Sequence, residues 1–338
     1  MDFLNKINEV AADNAAASDQ DRYIIYRRHA GIGDLLLGLY YTWVYACATK
    51  RKIVIDWRWS TYVHNSSNLF PYLFKDCFIR GTPLIGTDID KIIFPEPFYP
   101  KYYNNETIHE IPKVGLHKTY KNYMDREADF ERLRSGYPYL ENTVVLNECL
   151  RAFPHGGDIA EGAGNFINII WSSLNGHLSA HLDEISKTLF DGNKNITGIH
   201  IRLGNNADTF TLPFIKRIKG YDGKNVREYV KRNVMPVIEN LPSGQRVFVA
   251  SETEEATNQI IELVPDCIIY NKWFADPGCE VHFSSRDRGV PNGLEILKDS
   301  LTEMYLLSQC QEIYSTLAHS AFSKVAGLLG KKTNVHFI

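Results

Sequence analysis

Twice along its length the chain alternates short β-branched runs with helical stretches, and that alternation confines it to sheets whose strands run mainly parallel. The first series opens with YIIYRR at 23–28, the turn HAGIGD at 29–34, a nearly all-apolar helix at 34–51 and KIVIDW at 52–57. Strand, glycine-bearing turn, helix and strand in that order make a βαβ unit. The second series begins at ITGIHIR, 196–202. It continues with strands at 245–251, 267–271 and 312–316, and helices at 223–241, 253–264, 294–310 and 320–330, before a short closing strand, NVHFI. This pattern predicts an α/β protein of two Rossmann-like, doubly wound domains, over 1–190 and 191–338, with helices on both faces of each sheet. Ligands of such sheets bind at the carboxyl ends of the strands, here expected in a cleft between the halves. The stretch 60–115, rich in Pro, Tyr, Phe and Asn, shows little periodicity and reads as long loops with short helices. A glycine-rich segment at 155–164 precedes a helical region that runs to about Leu189.

Composition narrows the function classes. A net charge of -3 on 338 residues, with no long run of one sign, argues against a general nucleic-acid binder, which needs a basic stripe. The six cysteines are scattered, with no C-x-x-C pair, which points to reduced thiols rather than a zinc site. The first residues lack the cationic start and apolar core of a signal peptide, and no apolar run approaches the ~20 residues of a membrane helix. The expected setting is the cytoplasm, with a peripheral place at the inner membrane face left open.

Four motifs carry candidate chemistry. Gly31, Gly33 and Asp34 form a strand-to-helix turn that lets a ligand approach the backbone and offers unpaired N–H groups to an anion. An ordinary tight turn with Asp34 capping the helix competes with that reading. Asp88-Ile89-Asp90 has the form of a metal-binding D-x-D, but its setting before KIIFPEPF favours a turn cap, and no metal is assigned. Along 199–203, period-2 alternation puts Ile199, Ile201 and Leu203 on one face and His200 and Arg202 on the other. A charged arginine at the carboxyl end of a central strand needs a partner. That partner is either a diphosphate, which a guanidinium grips with two bonds, or an Asp or Glu of the chain. Finally, a strand ends at Ser315-Thr316 and a helix begins near Ser320, gathering hydroxyls and a helix N-terminus where an anion could sit. A plain serine cap is the alternative. Together the last two motifs make a diphosphate site.

Taken in order, YRRHAGIGDLL, KIVIDWRWSTYV, HIRLGN, VFVASE and DSLTEMYLLSQCQEIYSTLAHSAFSKVAGLL resemble the pattern of the NodZ-type nodulation fucosyltransferases. These belong to the wider α-1,6-fucosyltransferase family, with protein-O-fucosyltransferases as more distant relatives. The resemblance runs from about residue 22 to 330 and is weakest between 60 and 190. It implies a GT-B fold with an acceptor-side N-terminal domain and a GDP-sugar-binding C-terminal domain. It further implies inverting, metal-independent transfer of fucose from GDP-fucose to a glycan hydroxyl in an α-1,6-type linkage, with no cofactor. By the same resemblance the donor contacts are His200, Arg202, Gly204 and Asn205, then Ala250, Ser251, Glu252 and Thr253 near the guanosine, then Ser315, Thr316, His319, Ser320, Ala321 and Phe322 at the diphosphate. Arg202 would stabilise the leaving diphosphate and Asp208, on the loop after the strand, would be the base. From the sequence, Arg286 and Arg288, in the polar loop before the last long helix, are further candidates for contact with donor or acceptor, with plain solvated surface charge as the alternative. Two positions depart from the family: Leu203 stands where relatives often carry a second basic residue, and Ser251-Glu252 replaces Thr-Asp. Another GDP-sugar as donor, or a sugar-nucleotide-binding protein without turnover, are the alternatives these departures leave open.

Overall fold

A computed structural model describes residues 21–28, 30–58, 60, 62, 67–99, 101, 103–109, 141–146, 157–203, 218, 221, 225–277, 293–318, 320–331 and 335–338. The chain divides into two compact units, Met1–Asn175 and Gly176–Ile338.

In the first unit β1 (Tyr23–Tyr26) leads into α1 (Ile32–Thr49) and back to β2 (Lys52–Ile55), the βαβ unit foreseen from sequence. After α2 (Leu69–Leu73) come β3 (Cys77–Ile79), β4 (Thr82–Ile85), β5 (Phe98–Tyr99) and β6 (Thr143–Leu146), and then α3 (Gly157–Ser172). The sheet order is β3-β4-β2-β1-β6-β5, parallel throughout except for the β3–β4 hairpin at one edge. Arg80 and Gly81, both with positive φ, form the two-residue turn of that hairpin, as a right-twisted pair of strands requires. The strands β3 to β5 lie where the sequence suggested loops. They are two to four residues long. Pro83 also sits inside β4, so neither length nor composition announced them. The central strands β1, β2 and β6 are β-branched and buried on both faces, as parallel strands covered on two sides must be. One face packs Ile25, Val54 and Val145 against Phe94, Phe98 and Ile108.

The second unit begins with α4 (Gly176–Phe190) and β7 (Ile196–Ile201). A helix follows that runs from Val226–Tyr229 through a π-helical turn, Val230–Val234, to Met235–Glu239; we call it α5. Then come β8 (Arg246–Ser251), α6 (Glu254–Leu263), β9 (Ile268–Ile269), α7 (Gly293–Gln309), β10 (Glu312–Ser315), α8 (Ala321–Leu329) and β11 (His336–Phe337). All five strands are parallel, in the order β11-β10-β7-β8-β9. Ile199, Ile201 and Leu203 face one way, into a core shared with α5 and α6. On the other face Gly198 lets the α7 segment come close: a Cβ there would stand 2.8 Å from Leu307 and 3.1 Å from the Cys310 sulfur. No helix among the described residues is long and apolar enough to cross a membrane.

Candidate donor site at the carboxyl edge of the second sheet

Register brings the ends of three strands level. His200 pairs with Ser315 on one side and Ala250 on the other, and Ile201 pairs with Ser251. The segments that leave β7, β8 and β10 therefore start side by side: Arg202-Leu203, Glu252-Thr253 and Thr316-Leu317. Hydrogen bonds tie them. The Thr316 N–H donates to the His200 carbonyl at 3.1 Å, and the Thr316 hydroxyl accepts from the Arg202 N–H at 2.8 Å. Glu252 Oε1 accepts from the Leu203 N–H at 2.6 Å while Oε2 pairs with the Arg202 guanidinium.

Of the two partners that sequence allowed for Arg202, the chain thus supplies a carboxylate. The arginine side chain remains 22% exposed and Glu252 only 7%, so the guanidinium rises from a buried anchor to the sheet edge. Both Glu252 oxygens are engaged within the chain, and the acid orients Arg202 while also holding the backbone of Leu203. Leu203 itself points into the core.

His200 is buried. Its Nδ1 lies 3.3 Å from the Ser315 hydroxyl and 3.2 Å from that of Ser323, and its ring stacks on Phe322 at 5.0 Å between centroids. Burial pushes its pKa down to about 3, helped by the charges of Arg202 and Lys272, so the imidazole is neutral near pH 7. A neutral ring can donate from one nitrogen and accept at the other, and it adds no charge to the site.

Several residues that the motifs singled out are buried and tied into the strand ends. Ala250, Ser251, Thr253, Ser315 and Thr316 are all buried. The Ser251 hydroxyl closes the turn to Thr253, and Thr253 caps α6 by accepting from the Ala256 N–H. Ser320 occupies the N-cap position of α8 but makes no side-chain cap bond. Its hydroxyl is thus not committed to the ordinary cap, and the first-turn N–H groups of Ala321, Phe322 and Ser323 have no partner within the helix. Gly204, Asn205, Asp208, His319, Arg286 and Arg288 lie outside the described residues.

A polar cluster that sequence reading missed sits farther along the same edge. Lys272, beyond β9, pairs with Glu303 of α7 at 2.5 Å, and Tyr270 donates to Asp299 at 2.9 Å. Burial raises the pKa of both acids, against the pull of Lys272 on Glu303 and of Tyr270 on Asp299. The available signal was the four-residue spacing of Asp299 and Glu303, which puts both on one face of a helix otherwise rich in Leu.

The first unit differs. Gly31 is the N-cap of α1 and Ile32 its first residue; the Ile32 N–H donates to the Tyr62 hydroxyl at 3.1 Å. Asp34 does not cap, because the helix begins two residues before it. It lies in the first turn, where the helix dipole favours an acid, and pairs with Arg28. Of the D-x-D pair, Asp88 takes the N-cap position of a 3-10 turn, Ile89–Lys91, without a side-chain cap bond and pairs with Lys91. Asp90 accepts from Arg58 at 2.6 Å. At the ends of β1 and β2, Asp56 is clamped between Arg27 and Arg58. Burial alone would raise its pKa, but the two guanidiniums hold it down at about 2.

A parallel five-stranded unit with a cationic group and a helix N-terminus at its carboxyl edge, in one chain with a second mainly parallel unit, is the class of architecture that GT-B glycosyltransferases share. Comparison with known proteins agrees. Residues 20–337 match the family model of Nodulation protein Z (NodZ), and the chain belongs to that family. Nodulation protein Z of Sinorhizobium fredii is 28% identical over 319 residues, covering 91% of each chain. That of Bradyrhizobium diazoefficiens is 27% identical over 333 residues, covering 96% of this chain and 83% of the relative. The solved fucosyltransferase NodZ from Bradyrhizobium superposes with a TM-score of 0.66 at 24% identity over 92% of each chain. A NodZ α-1,6-fucosyltransferase co-crystallised with GDP gives 0.65 at 25% identity, over 92% of this chain and 93% of that one. By family and fold the chain is a glycosyltransferase of the fucosyltransferase type.

Proposed function

We propose that this protein transfers fucose from GDP-fucose to a hydroxyl of a glycan acceptor through an α-1,6-type linkage, with inversion at the anomeric carbon and without a metal ion. The second unit takes the donor and the first serves the acceptor side. The observation that carries the reading is Arg202, anchored by Glu252 and raised at the carboxyl edge beside the start of α8. As the bond from the anomeric carbon to the diphosphate breaks, negative charge grows on the leaving oxygens. Arg202 and the N-terminal dipole of α8 stabilise that charge more than they stabilise the bound donor, which is what lowers the barrier. Ser320, Ala321 and Phe322 line the same helix start, and Gly204, Asn205 and His319 complete the proposed set of donor contacts. Asp208 takes the proton of the acceptor hydroxyl as that oxygen attacks the opposite face of the sugar. Neutral His200, stacked on Phe322, packs beneath the diphosphate end of the site.

Support comes from the solved relatives, one soaked with GDP-fucose and one co-crystallised with GDP. Calorimetry with GDP on wild type and Arg202→Ala, followed by an assay of GDP-sugars against a glycan array, tests the proposal. Tight GDP binding that Arg202→Ala weakens at least tenfold, with turnover of GDP-fucose, is the expected result. Equal GDP affinity in both proteins would remove the diphosphate site. GDP binding with no turnover of any GDP-sugar would leave a binding protein instead.

A further inference from the structure

Three residues beyond β9, Lys272 carries its ammonium into the carboxyl edge of the second sheet. The side chain is 11% exposed, and its partner Glu303 is 8% exposed. Among the described residues Glu303 is the one acceptor of this ammonium, whose Nζ also lies 5.2 Å from the centre of the Phe274 ring. An ammonium has three donors. One that is nearly buried and meets a single acceptor has hydrogen-bonding capacity unspent in a place that water reaches poorly.

The pair is held in a rigid frame. Asp299, one turn before Glu303 on α7, accepts from the Tyr270 hydroxyl and from the Trp273 N–H. Glu303 also accepts from the N–H of Ser251, the last residue of β8. These bonds strap the segment that follows β9 onto α7 and against the end of β8. Lys272 is near enough to His200 to help keep that ring neutral, so both belong to one edge. Stability does not account for the arrangement, because a buried ion pair gains little over well-packed apolar residues.

We propose that Lys272 is a specificity-determining residue that donates a hydrogen bond to the 6-oxo group of the donor's guanine. The inference rests on the GDP-sugar reading above. In the strand order β10-β7-β8-β9, Arg202 and the start of α8 mark the phosphate end, at β7 and β10. Strands about 4.8 Å apart place β9 roughly 14 Å from β10. A nucleoside whose diphosphate is held at the first end extends toward the second, where Lys272 waits. Guanine presents acceptors at O6 and N7, whereas adenine presents an amino donor in place of O6. Against an ammonium that amino group would meet donor with donor, and a site built around one hydrogen bond rejects the ligand that cannot complete it.

Titration calorimetry of GDP, inosine diphosphate and ADP tests this on the full chain and on Lys272→Met. Wild type should bind GDP and inosine diphosphate at least tenfold more tightly than ADP. In Lys272→Met both 6-oxo nucleotides should weaken about tenfold while ADP is unchanged, so that the preference collapses. Should the unpaired carboxylate prevent folding, Lys272→Met/Glu303→Gln set against Glu303→Gln alone isolates the lysine, with the same collapse expected between them. An unchanged GDP-to-ADP ratio overturns the inference and leaves the donor reading intact. So does an equal loss of all three nucleotides, which would place Lys272 on the phosphates. No GDP binding by wild type would remove the donor reading itself.

Discussion

At the carboxyl end of the first sheet Arg27, Asp56, Arg58 and Asp90 satisfy one another, with Arg27 also donating to the Ile108 carbonyl. At the same end of the second sheet the polar groups are also anchored, but the anchored Arg202 keeps 22% of its side chain exposed, the Ser320 hydroxyl makes no cap bond, and Lys272 sits with Glu303 beyond β9. Both edges come from the same βα architecture. The difference lies in whether charge is spent on fastening loops or held ready for a ligand. In the first unit the clamp pins the segments after β2 and around Asp90 to the strand ends. In the second, hydroxyls and carboxylates do the fastening, and cations stand above them.

Four experiments probe that contrast. The largest effect is expected from Asp56→Ala, which strands two buried guanidiniums; denaturant unfolding should show a loss of about 3–5 kcal/mol. A loss below about 1 kcal/mol would mean that the clamp is not structural. Next, Arg202→Ala should lower kcat/KM by about 10²- to 10³-fold, with a smaller stability loss than Asp56→Ala, and Arg202→Lys should not restore it, since an ammonium cannot reproduce the fork. Near wild-type turnover in Arg202→Ala would class Arg202 with the first unit's fasteners.

Acid separates the two edges by pH. The folded pKa of His200 is depressed to about 3 from 6.5, so its contribution is complete above pH 6.5 and is lost as pH falls toward 3. Asp56 is depressed to about 2 from 3.8, so its contribution is complete above about pH 4 and is lost as pH falls through 2. Between pH 6.5 and 4 stability should therefore drop with a slope of up to about 1.4 kcal/mol per pH unit from His200, and His200→Gln should flatten that slope. A slope unchanged by the substitution would show that His200 is not the group responsible. The smallest effect belongs to Ser320→Ala. With no cap bond to lose it should cost under about 0.5 kcal/mol in thermal unfolding while weakening GDP binding several-fold. A stability loss near 1 kcal/mol without a change in affinity would make Ser320 an ordinary cap after all.

What could be read ahead of the structure follows from how local each signal is. The βαβ opening, the restart at Ile196, and the opposite faces of Ile199-Ile201-Leu203 and His200 are written in neighbouring residues, and the fold reproduces them. The strands β3 to β5 are too short to carry a period. Partnerships were harder still. Nothing near Arg202 in sequence announces Glu252, fifty residues on, and Lys272 and Glu303 are thirty-one apart. Such pairs are fixed by strand register and helix placement, which arise only once the sheet exists. Ser315 and Thr316 were legible as polar residues at a strand end, but their burial and the bonds that tie Thr316 to Arg202 and Ser315 to Ser323 were not.

Gly198 connects the interior of the second unit with that edge. Because it lacks a side chain, α7 can settle close to the sheet, and α7 is the helix that carries Asp299 and Glu303. The hydrogen atom at that position works as a shim, setting the height at which two carboxylates, about one and two turns before Leu307, meet the strand ends. An added methyl would act far from any ligand and still shift both acids together. The chemistry of the rim is gauged from beneath, by the thickness of one residue in the floor.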